Sequence, residues 1–163
     1  MMKNLFLLRH AKSSWADPAT DDFDRPLNKR GIEAATLMRA HLSKVKVRPD
    51  LVLCSPARRA KETYDLVAPA LKGAEVVFDK KLYIFDYRPV LERIGAVEDK
   101  VSTLLVIAHN PALEELTQWL TSADLAKFPT GALACFKVSV KSWKDLAQGG
   151  CTLSAFIRPK ELG

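Results

Sequence analysis

The sequence predicts an α/β fold, a single-domain three-layer α/β/α sandwich with helices on both faces of a mostly parallel sheet. Residues 4–8, 51–54 and 103–108 are short, nearly continuous apolar runs, which are typical of parallel strands buried on both faces. Each run is followed by residues that recur at helical spacing, and this alternation of strands and helices produces an open sheet. We expect one domain over residues 1–163, which is a common domain length.

Three predicted helices follow these strands, and each has a recognisable start. Asn28 is placed to cap the first helix, while Ser55-Pro56 and Asn110-Pro111 are each placed as the cap and first residue of the next two. The apolar faces are formed by Ile32, Ala35, Met38 and Leu42 in the first helix, by Ala60, Thr63, Val67 and Leu71 in the second, and by Leu113, Leu116 and Leu120 in the third.

The remaining segments complete the sheet and add one helix. Residues 76–78 are a weaker strand candidate, and the apolar spacing over residues 90–97 indicates another amphipathic helix. Residues 132–140 and 152–158 have the pattern of two further strands, with Gly149-Gly150 in their connection. This arrangement predicts an antiparallel pair at one edge of the sheet.

The composition excludes several classes of function. Lysine and arginine number 25 against 19 aspartates and glutamates, but the net charge of +6 is spread along the chain without a basic run or interleaved aromatic residues. We therefore expect no nucleic-acid partner. The three cysteines, Cys54, Cys135 and Cys151, lack CxxC spacing and indicate reduced thiols. With no signal-like leader and no apolar run of membrane-spanning length, we expect a cytoplasmic protein without a membrane partner.

Charged and polar residues follow the three predicted central strands at the edge where ligands bind in open α/β sheets. Arg9 and His10 follow the first strand, Arg58 lies in the first turn after the second, and His109 and Asn110 follow the third. Two arginines and two histidines at one edge would repel one another unless an anion lay between them. A phosphoryl group suits this site, because guanidinium groups bind its oxygens bidentately and helix N-termini add backbone donors.

A neutral imidazole is a good nucleophile near neutral pH, whereas a hydroxyl group needs a dedicated base. His10 is therefore a candidate to attack phosphorus and carry the phosphoryl group. The arginines would stabilise the charge on the equatorial oxygens.

These residues resemble the histidine phosphatase superfamily, whose Arg-His-Gly signature appears here as Arg9-His10-Ala11. Within it, the SixA-type phosphohistidine phosphatases are the most similar. The similar stretches are Leu7 to Ser13, Asp24-Arg25-Pro26-Leu27 with Arg30-Gly31, Ser55 to Ala60 with Thr63, His109-Asn110-Pro111, and Pro129 to Ala132. The resemblance implies a phosphoglycerate-mutase-like fold with no metal or other cofactor, phosphorylation of His10, and phosphoryl binding by Arg9, Arg58 and His109.

The sequence departs from the family pattern at the phosphate contacts. Ala11 replaces the signature glycine, and Ala16 follows Trp15 where the mutase branch has a phosphate-binding asparagine. Ser13 or Lys12 is a candidate to replace that contact. Asn110 and Arg25 are further candidates for phosphate or substrate binding, although a salt bridge is the alternative role for Arg25.

The family's glutamate proton donor has no clear equivalent. Asp86 is the nearest candidate, with a helix cap before Pro89 as its alternative role. A missing acid favours phosphohistidine as substrate, because an imidazole leaving group already carries a proton whereas an alkoxide needs one. The expected partners are thus a phosphorylated protein or a small phosphorylated molecule.

Four alternatives accompany this interpretation. A small-molecule phosphomonoesterase and a non-catalytic phosphoprotein-binding module would use the same basic pocket. A cysteine-dependent phosphatase built on Cys54 fails, because Ala60 occupies the position where its arginine is needed. A metallohydrolase would combine His10 and His109 with one of the aspartates at 17, 21, 22 and 24, but no metal-ligand spacing supports it.

Overall fold

The computed structural model describes residues 2–125 and 127–163. Its strands are β1 (Lys3–Arg9), β2 (Leu51–Cys54), β3 (Glu75–Phe78), β4 (Thr103–Ala108), β5 (Leu133–Val138) and β6 (Cys151–Ile157). Its α-helices are α1 (Lys29–Lys44), α2 (Arg58–Val67), α3 (Tyr87–Gly95) and α4 (Ala112–Thr121).

The six strands form one sheet in the order β3-β2-β4-β1-β5-β6. The first four strands are parallel, β5 is antiparallel to β1, and β6 is antiparallel to β5. The predicted α/β fold and its antiparallel edge are therefore confirmed. Because β1 and β4 are neighbours and β2 lies beside β4, the ends of all three predicted central strands meet at one edge.

The sheet separates two apolar layers, since successive strand residues point to opposite faces. On one face, Leu8 and Ile107 pack with residues of α1 and α2 such as Met38. On the other face, Leu7 and Val106 pack with residues of α3 and α4. The strand pattern thus yields the predicted sandwich, with both faces of β1 and β4 covered.

The starts of α1, α2 and α4 were predicted to within about two residues, whereas α3 begins at Tyr87, three residues before the predicted pattern over 90–97. Asn28 caps α1 as predicted, with its side chain accepting a hydrogen bond from the Gly31 amide. The helices α2 and α4 begin at Arg58 and Ala112, slightly later than predicted. Ser55 instead stabilises the turn before α2, where its hydroxyl accepts from the Ala57 amide at 3.2 Å.

The loop after β1 is fastened directly to the first turn of α1. The Lys12 carbonyl accepts from the Asn28 amide at 3.0 Å, and Ser13 forms an antiparallel bridge with Leu27. A Cβ atom at Gly31 would lie 2.1 Å from the Lys12 carbonyl oxygen, so this helix position requires glycine. The contact holds the segment after His10 in place.

The substitution Gly31→Ala is therefore expected to destabilise the protein by about 3 kcal/mol or more, because backbone must move to relieve the overlap. Urea unfolding provides the measurement. Gly95→Ala in α3 is the matched control, since its new Cβ meets its nearest neighbour at 3.7 Å. The control should leave stability unchanged or raise it by up to about 1 kcal/mol through helix propensity. Equal effects at the two glycines would contradict the role given to Gly31.

Candidate active site

A pocket of about 420 Å³ lies at the carboxyl ends of β1, β2 and β4, where the polar residues were predicted to converge. Its lining combines three arginines and two histidines with one carboxylate and a partly aromatic rim. The lining residues are Arg9, His10, Lys12, Ser13, Trp15, Asp22, Arg25, Arg59, Phe85, His109, Asn110 and Thr130.

His10 presents one ring nitrogen to this pocket in a defined protonation state. Its Nδ1 lies 2.7 Å from the Ala11 carbonyl oxygen, which can only accept, so Nδ1 carries the proton. Burial lowers the pKa of His10 to about 3, and the positive charges of neighbouring arginines act in the same direction. The imidazole is thus neutral at pH 7, and Nε2 keeps its lone pair.

The arginine that α2 contributes is Arg59, and the prediction for Arg58 is corrected. Arg59 is buried, and its Nε donates to His10 Nε2 at 3.4 Å. The Arg58 side chain is 55% exposed and pairs with Glu62 one helical turn along at 3.0 Å. The helix turns about 100° per residue, so only one of two adjacent arginines can face the pocket.

Helical spacing could have selected the correct arginine. The buried face of α2 comprises Arg59, Ala60, Thr63 and Val67, so Arg59 stands four residues before Thr63 on that face. Thr63 uses its hydroxyl to accept from the Ala11 amide at 3.0 Å, which joins this face to the segment after His10. Arg58 and Glu62 lie together on the solvent-facing side of α2.

The Arg9 side chain lines the pocket and is held by the segment before β5. Its Nη1 donates to the Phe128 carbonyl at 2.8 Å, and Asn110 Nδ2 donates to the same oxygen at 3.0 Å. Within the described residues, the buried Nε of Arg9 has no hydrogen-bond partner. A buried donor without an acceptor costs free energy, so no hydrogen bond from Nε offsets the cost of burying this part of Arg9.

His109 faces His10 across the pocket, with the two ring centroids 5.0 Å apart. Its Nδ1 lies 3.4 Å from Arg59 Nη2, and its Nε2 lies 2.7 Å from the Ser55 hydroxyl. Burial lowers the pKa of His109 to about 2, with further lowering by His10 and the arginines. His109 is therefore a neutral hydrogen-bonding group whose Nδ1 edge faces the pocket.

The Asp22 carboxylate pairs with two arginines of the pocket, and no sequence pattern distinguishes Asp22 from the other aspartates of its loop. Its carboxylate accepts from Arg59 at 3.1 Å, from Arg25 at 3.0 Å and from the Tyr83 hydroxyl at 2.6 Å. Burial alone would raise the pKa of Asp22, but these hydrogen bonds lower it to about 2. Arg25 also donates to the Ser13 hydroxyl, so its salt bridge and its position in the pocket coexist.

Aromatic side chains form part of the rim. Trp15 is 76% exposed, and the Cζ atom of the Arg25 guanidinium lies over its ring, 3.6 Å from the ring centroid. Phe85 is half exposed and contacts the edge of His109, with 5.9 Å between centroids. Trp15, Phe85 and Thr130 were not predicted as pocket residues, because the sequence does not show which side chains of a loop point into the pocket.

The sequence of this chain is similar to the sequences of known proteins. Residues 5–88 match the histidine phosphatase superfamily (branch 1). An uncharacterized protein of Mycobacterium tuberculosis, Rv1276c, is 37% identical over 94% of this chain and 100% of its own length.

The chain belongs to the histidine phosphatase superfamily.

Solved structures of SixA proteins resemble this histidine phosphatase along nearly its whole length. A SixA protein of Agrobacterium tumefaciens has 29% identity and a TM-score of 0.84, covering 96% of this chain and 98% of that one. The protein histidine phosphatase SixA complexed with tungstate has 26% identity and a TM-score of 0.83, covering 98% and 99%. The phosphoglycerate-mutase-like fold and the resemblance predicted from the sequence are therefore confirmed, and the protein is a phosphatase that acts on a phosphorylated substrate.

The structure accounts for two of the three departures from the family pattern, namely Ala11 and the missing proton donor. Ala11 is buried and packs with Leu27 and Ala35, so the extra methyl group points into an apolar cluster.

Asp86 does not line the pocket: it caps α3 by accepting from the Arg88 amide at 2.9 Å. The helix-cap role of Asp86 is thus the one that the structure supports, and its assignment as proton donor is corrected. The side chain that this loop does place in the pocket is Phe85.

Two negative observations apply to the residues that the structure describes. No group of three or more histidine, cysteine, aspartate or glutamate side chains there is arranged to hold a metal ion. None of the helices in residues 2–125 and 127–163 is both long and apolar enough to cross a membrane.

The buried neutral histidines predict a loss of stability in mild acid. The unfolded chain takes up a proton on each histidine near pH 6.5, whereas folded His10 stays neutral down to about pH 3. The unfolded state therefore binds more protons between these values, and stability falls as pH falls through this window. Between pH 7 and 5, the histidine phosphatase should lose about 2 kcal/mol more than its His10→Gln variant. Urea unfolding of both proteins at the two pH values gives this difference, and parallel pH profiles would contradict it.

Proposed function

We propose that this histidine phosphatase removes phosphate from phosphohistidine in a protein, through a covalent phosphohistidine intermediate on His10. The observation that carries the proposal is the neutral His10 Nε2, fixed by the hydrogen bond between Nδ1 and the Ala11 carbonyl in a pocket with Arg9, Arg59 and His109. A nucleophile with its lone pair beside several phosphate-binding cations is the arrangement that phosphoryl transfer requires.

In the first step, the lone pair of His10 Nε2 attacks phosphorus while the bond from phosphorus to the substrate's imidazole nitrogen breaks. The departing nitrogen takes the bonding electrons, and the imidazole leaves neutral because its other nitrogen bears a proton. In the second step, water attacks the phosphorus of phosphorylated His10, and the bond from phosphorus to Nε2 breaks with its electrons returning to Nε2. The product leaves as dihydrogen phosphate, which keeps both protons of the water. His10 also leaves neutral, because Nδ1 keeps the proton that it donates to Ala11.

Arg9, Arg59 and His109 are assigned to the phosphoryl oxygens during both steps. Arg59 now forms long contacts of 3.4 Å with both histidines, and a phosphoryl oxygen is a stronger acceptor than either ring nitrogen. When Nδ1 of His109 donates to such an oxygen, the Ser55 hydroxyl can donate to Nε2 in turn. Lys12, Ser13, Arg25 and Asn110 remain the candidate contacts at the rim.

The absence of a suitable acid supports phosphohistidine as the substrate. Among the described residues, Asp22 is the only carboxylate that lines the pocket, and its pKa of about 2 keeps it ionised at neutral pH. It therefore cannot supply a proton to an alkoxide leaving group efficiently. The similarity to SixA proteins, one of them bound to the tetrahedral oxyanion tungstate, adds support.

The test is a comparison of kcat/KM for a histidine-phosphorylated protein, phosphoramidate, phosphotyrosine, para-nitrophenyl phosphate and several sugar phosphates. We expect the substrates with a phosphorus–nitrogen bond to be preferred over alkyl phosphates by about 10²-fold or more, the typical contribution of general acid catalysis. A preference for a sugar phosphate would replace the substrate assignment with a small-molecule phosphomonoesterase. Failure to turn over any of these substrates would instead favour a phosphoprotein-binding module.

A further inference from the structure

A second, larger concavity of about 900 Å³ opens beside the active site. We call it the basic groove, and its lining residues are Lys12, Arg30, Glu33, Ala34, Leu37, Lys127, Pro129, Thr130, Arg158, Pro159 and Lys160. Five of these side chains are cationic and one is a carboxylate. No step of the proposed reaction uses this surface, except where it meets the active site.

The basic groove is built by three segments that the fold brings together. One wall is a single face of α1, because residues 30, 33, 34 and 37 are spaced by three and four positions. The turn at residues 158–160 after β6 and the segment 127–130 before β5 provide the rest of the lining. All three segments also contribute small or apolar side chains to it, namely Ala34, Leu37, Pro129 and Pro159.

The basic groove adjoins the catalytic pocket. Lys12 and Thr130 line both cavities, and Lys12 is only two residues from His10. The next residue after Thr130 is Gly131, whose amide hydrogen-bonds to the carbonyl oxygens of Arg9 and His10 at 3.0 Å. A polypeptide segment bound in the groove would therefore lie next to the catalytic pocket.

Most of the positive charge in the basic groove is unneutralised. Within the described part of the chain, Lys12, Arg30, Lys127 and Lys160 form no ion pair, while Arg158 lies 3.5 Å from Glu161. Positive charges concentrated in one groove raise the local concentration of a negatively charged partner. The complementary ligand is anionic and carries aliphatic groups.

We propose that the basic groove docks an acidic segment of the phosphoprotein substrate, next to the phosphohistidine that enters the catalytic pocket; this inference rests on the proposed function. An acidic polypeptide fits the groove better than nucleic acid does. The lining offers no aromatic ring for base stacking, and Glu33 would repel a phosphate backbone but can pair with a basic residue of a peptide. A lipid surface is flat, whereas this site is concave.

The test uses histidine-phosphorylated peptides that differ only in whether glutamates or glutamines flank the phosphohistidine. The native enzyme should hydrolyse the glutamate-rich peptide with about tenfold higher kcat/KM at low salt, with the advantage shrinking as ionic strength rises. In the double variant Arg30→Glu/Lys160→Glu the advantage should disappear, while hydrolysis of para-nitrophenyl phosphate stays unchanged. Lys29→Glu is the matched control, because Lys29 is exposed in the same helical turn but does not line the groove. It should keep most of the preference.

A binding measurement separates failure of this inference from failure of the proposed function. An unphosphorylated glutamate-rich peptide, followed by fluorescence anisotropy, should bind the native protein and lose affinity in the double variant. Such binding without hydrolysis of either phosphopeptide would uphold the docking site and refute the proposed function. Equal hydrolysis of the two phosphopeptides by the native enzyme would overturn the docking site. So would binding of a single-stranded oligonucleotide or anionic vesicles in preference to the acidic peptide.

Discussion

Replacing His10 with alanine is expected to lower kcat by at least about 10⁴-fold, because the attacking atom is removed and no other side chain can replace it. The fold should persist, since the substitution removes one side chain from the rim of the sheet and leaves the core clusters intact. Tungstate or vanadate should still bind, because Arg9, Arg59 and His109 remain. Activity is measured with the preferred substrate, and folding is checked by circular dichroism.

The matched control for this variant is His41→Ala on α1. Of the three histidines of the chain, His41 is the one that does not line the pocket, so its loss should change kcat by less than about twofold. Rapid quenching of the native enzyme should trap a phosphoryl group that is labile to acid and stable to alkali, as expected for phosphohistidine. The assignment of His10 as nucleophile would fail if His10→Ala retained that phosphoenzyme or kept activity close to native.

Arg59→Ala is expected to lower kcat by about 10²- to 10³-fold, the usual consequence of removing a transition-state donor from a buried site. Arg59 reaches both histidines, and its loss also leaves the Asp22 carboxylate with one fewer partner beside the phosphoryl group. A negative charge so placed repels the substrate, so KM should rise as well.

The adjacent variant Arg58→Ala provides the control for this prediction. Its side chain points into solvent toward Glu62, and an exposed ion pair of this kind contributes at most about 1 kcal/mol to stability. We expect kcat and KM to stay within about threefold of native. Steady-state kinetics of the two variants distinguishes the residues directly, and a greater loss of kcat in Arg58→Ala would contradict the assignment of Arg59.

Much of the site could be predicted from the sequence because its central residues are tied to strand ends. Arg9, His10 and His109 directly follow buried parallel strands, and such strands deliver their last residues to one edge of the sheet. The lack of a convincing acid was also visible in the sequence. Its consequence for the substrate remains a proposal that the kinetic comparison will test.

The predictions of site residues failed where the direction of a side chain, rather than its position in the sequence, determines whether it enters the pocket. Asp86 lies in the loop that places Phe85 in the pocket, but its carboxylate accepts a hydrogen bond from the Arg88 amide at the start of α3. Asp22 was one of four aspartates in a loop without periodicity, and its contacts with Arg59 and Tyr83, 37 and 61 residues away, distinguish it. No local pattern encodes these two contacts, since they depend on how segments distant in sequence meet, whereas the cap at Asp86 is a local contact that was one of its two candidate roles.

By itself, the sequence determined the α/β fold, the edge of the sheet that holds the site and the candidate nucleophile, because apolar periodicity and strand ends are local properties. Only the tertiary structure decided that Asp22 neutralises part of the charge of the pocket and that the basic groove lies beside the pocket. The physical reason is that contacts between segments distant in sequence determine which charges face one another. Charge alone, counted along the chain, does not contain that information.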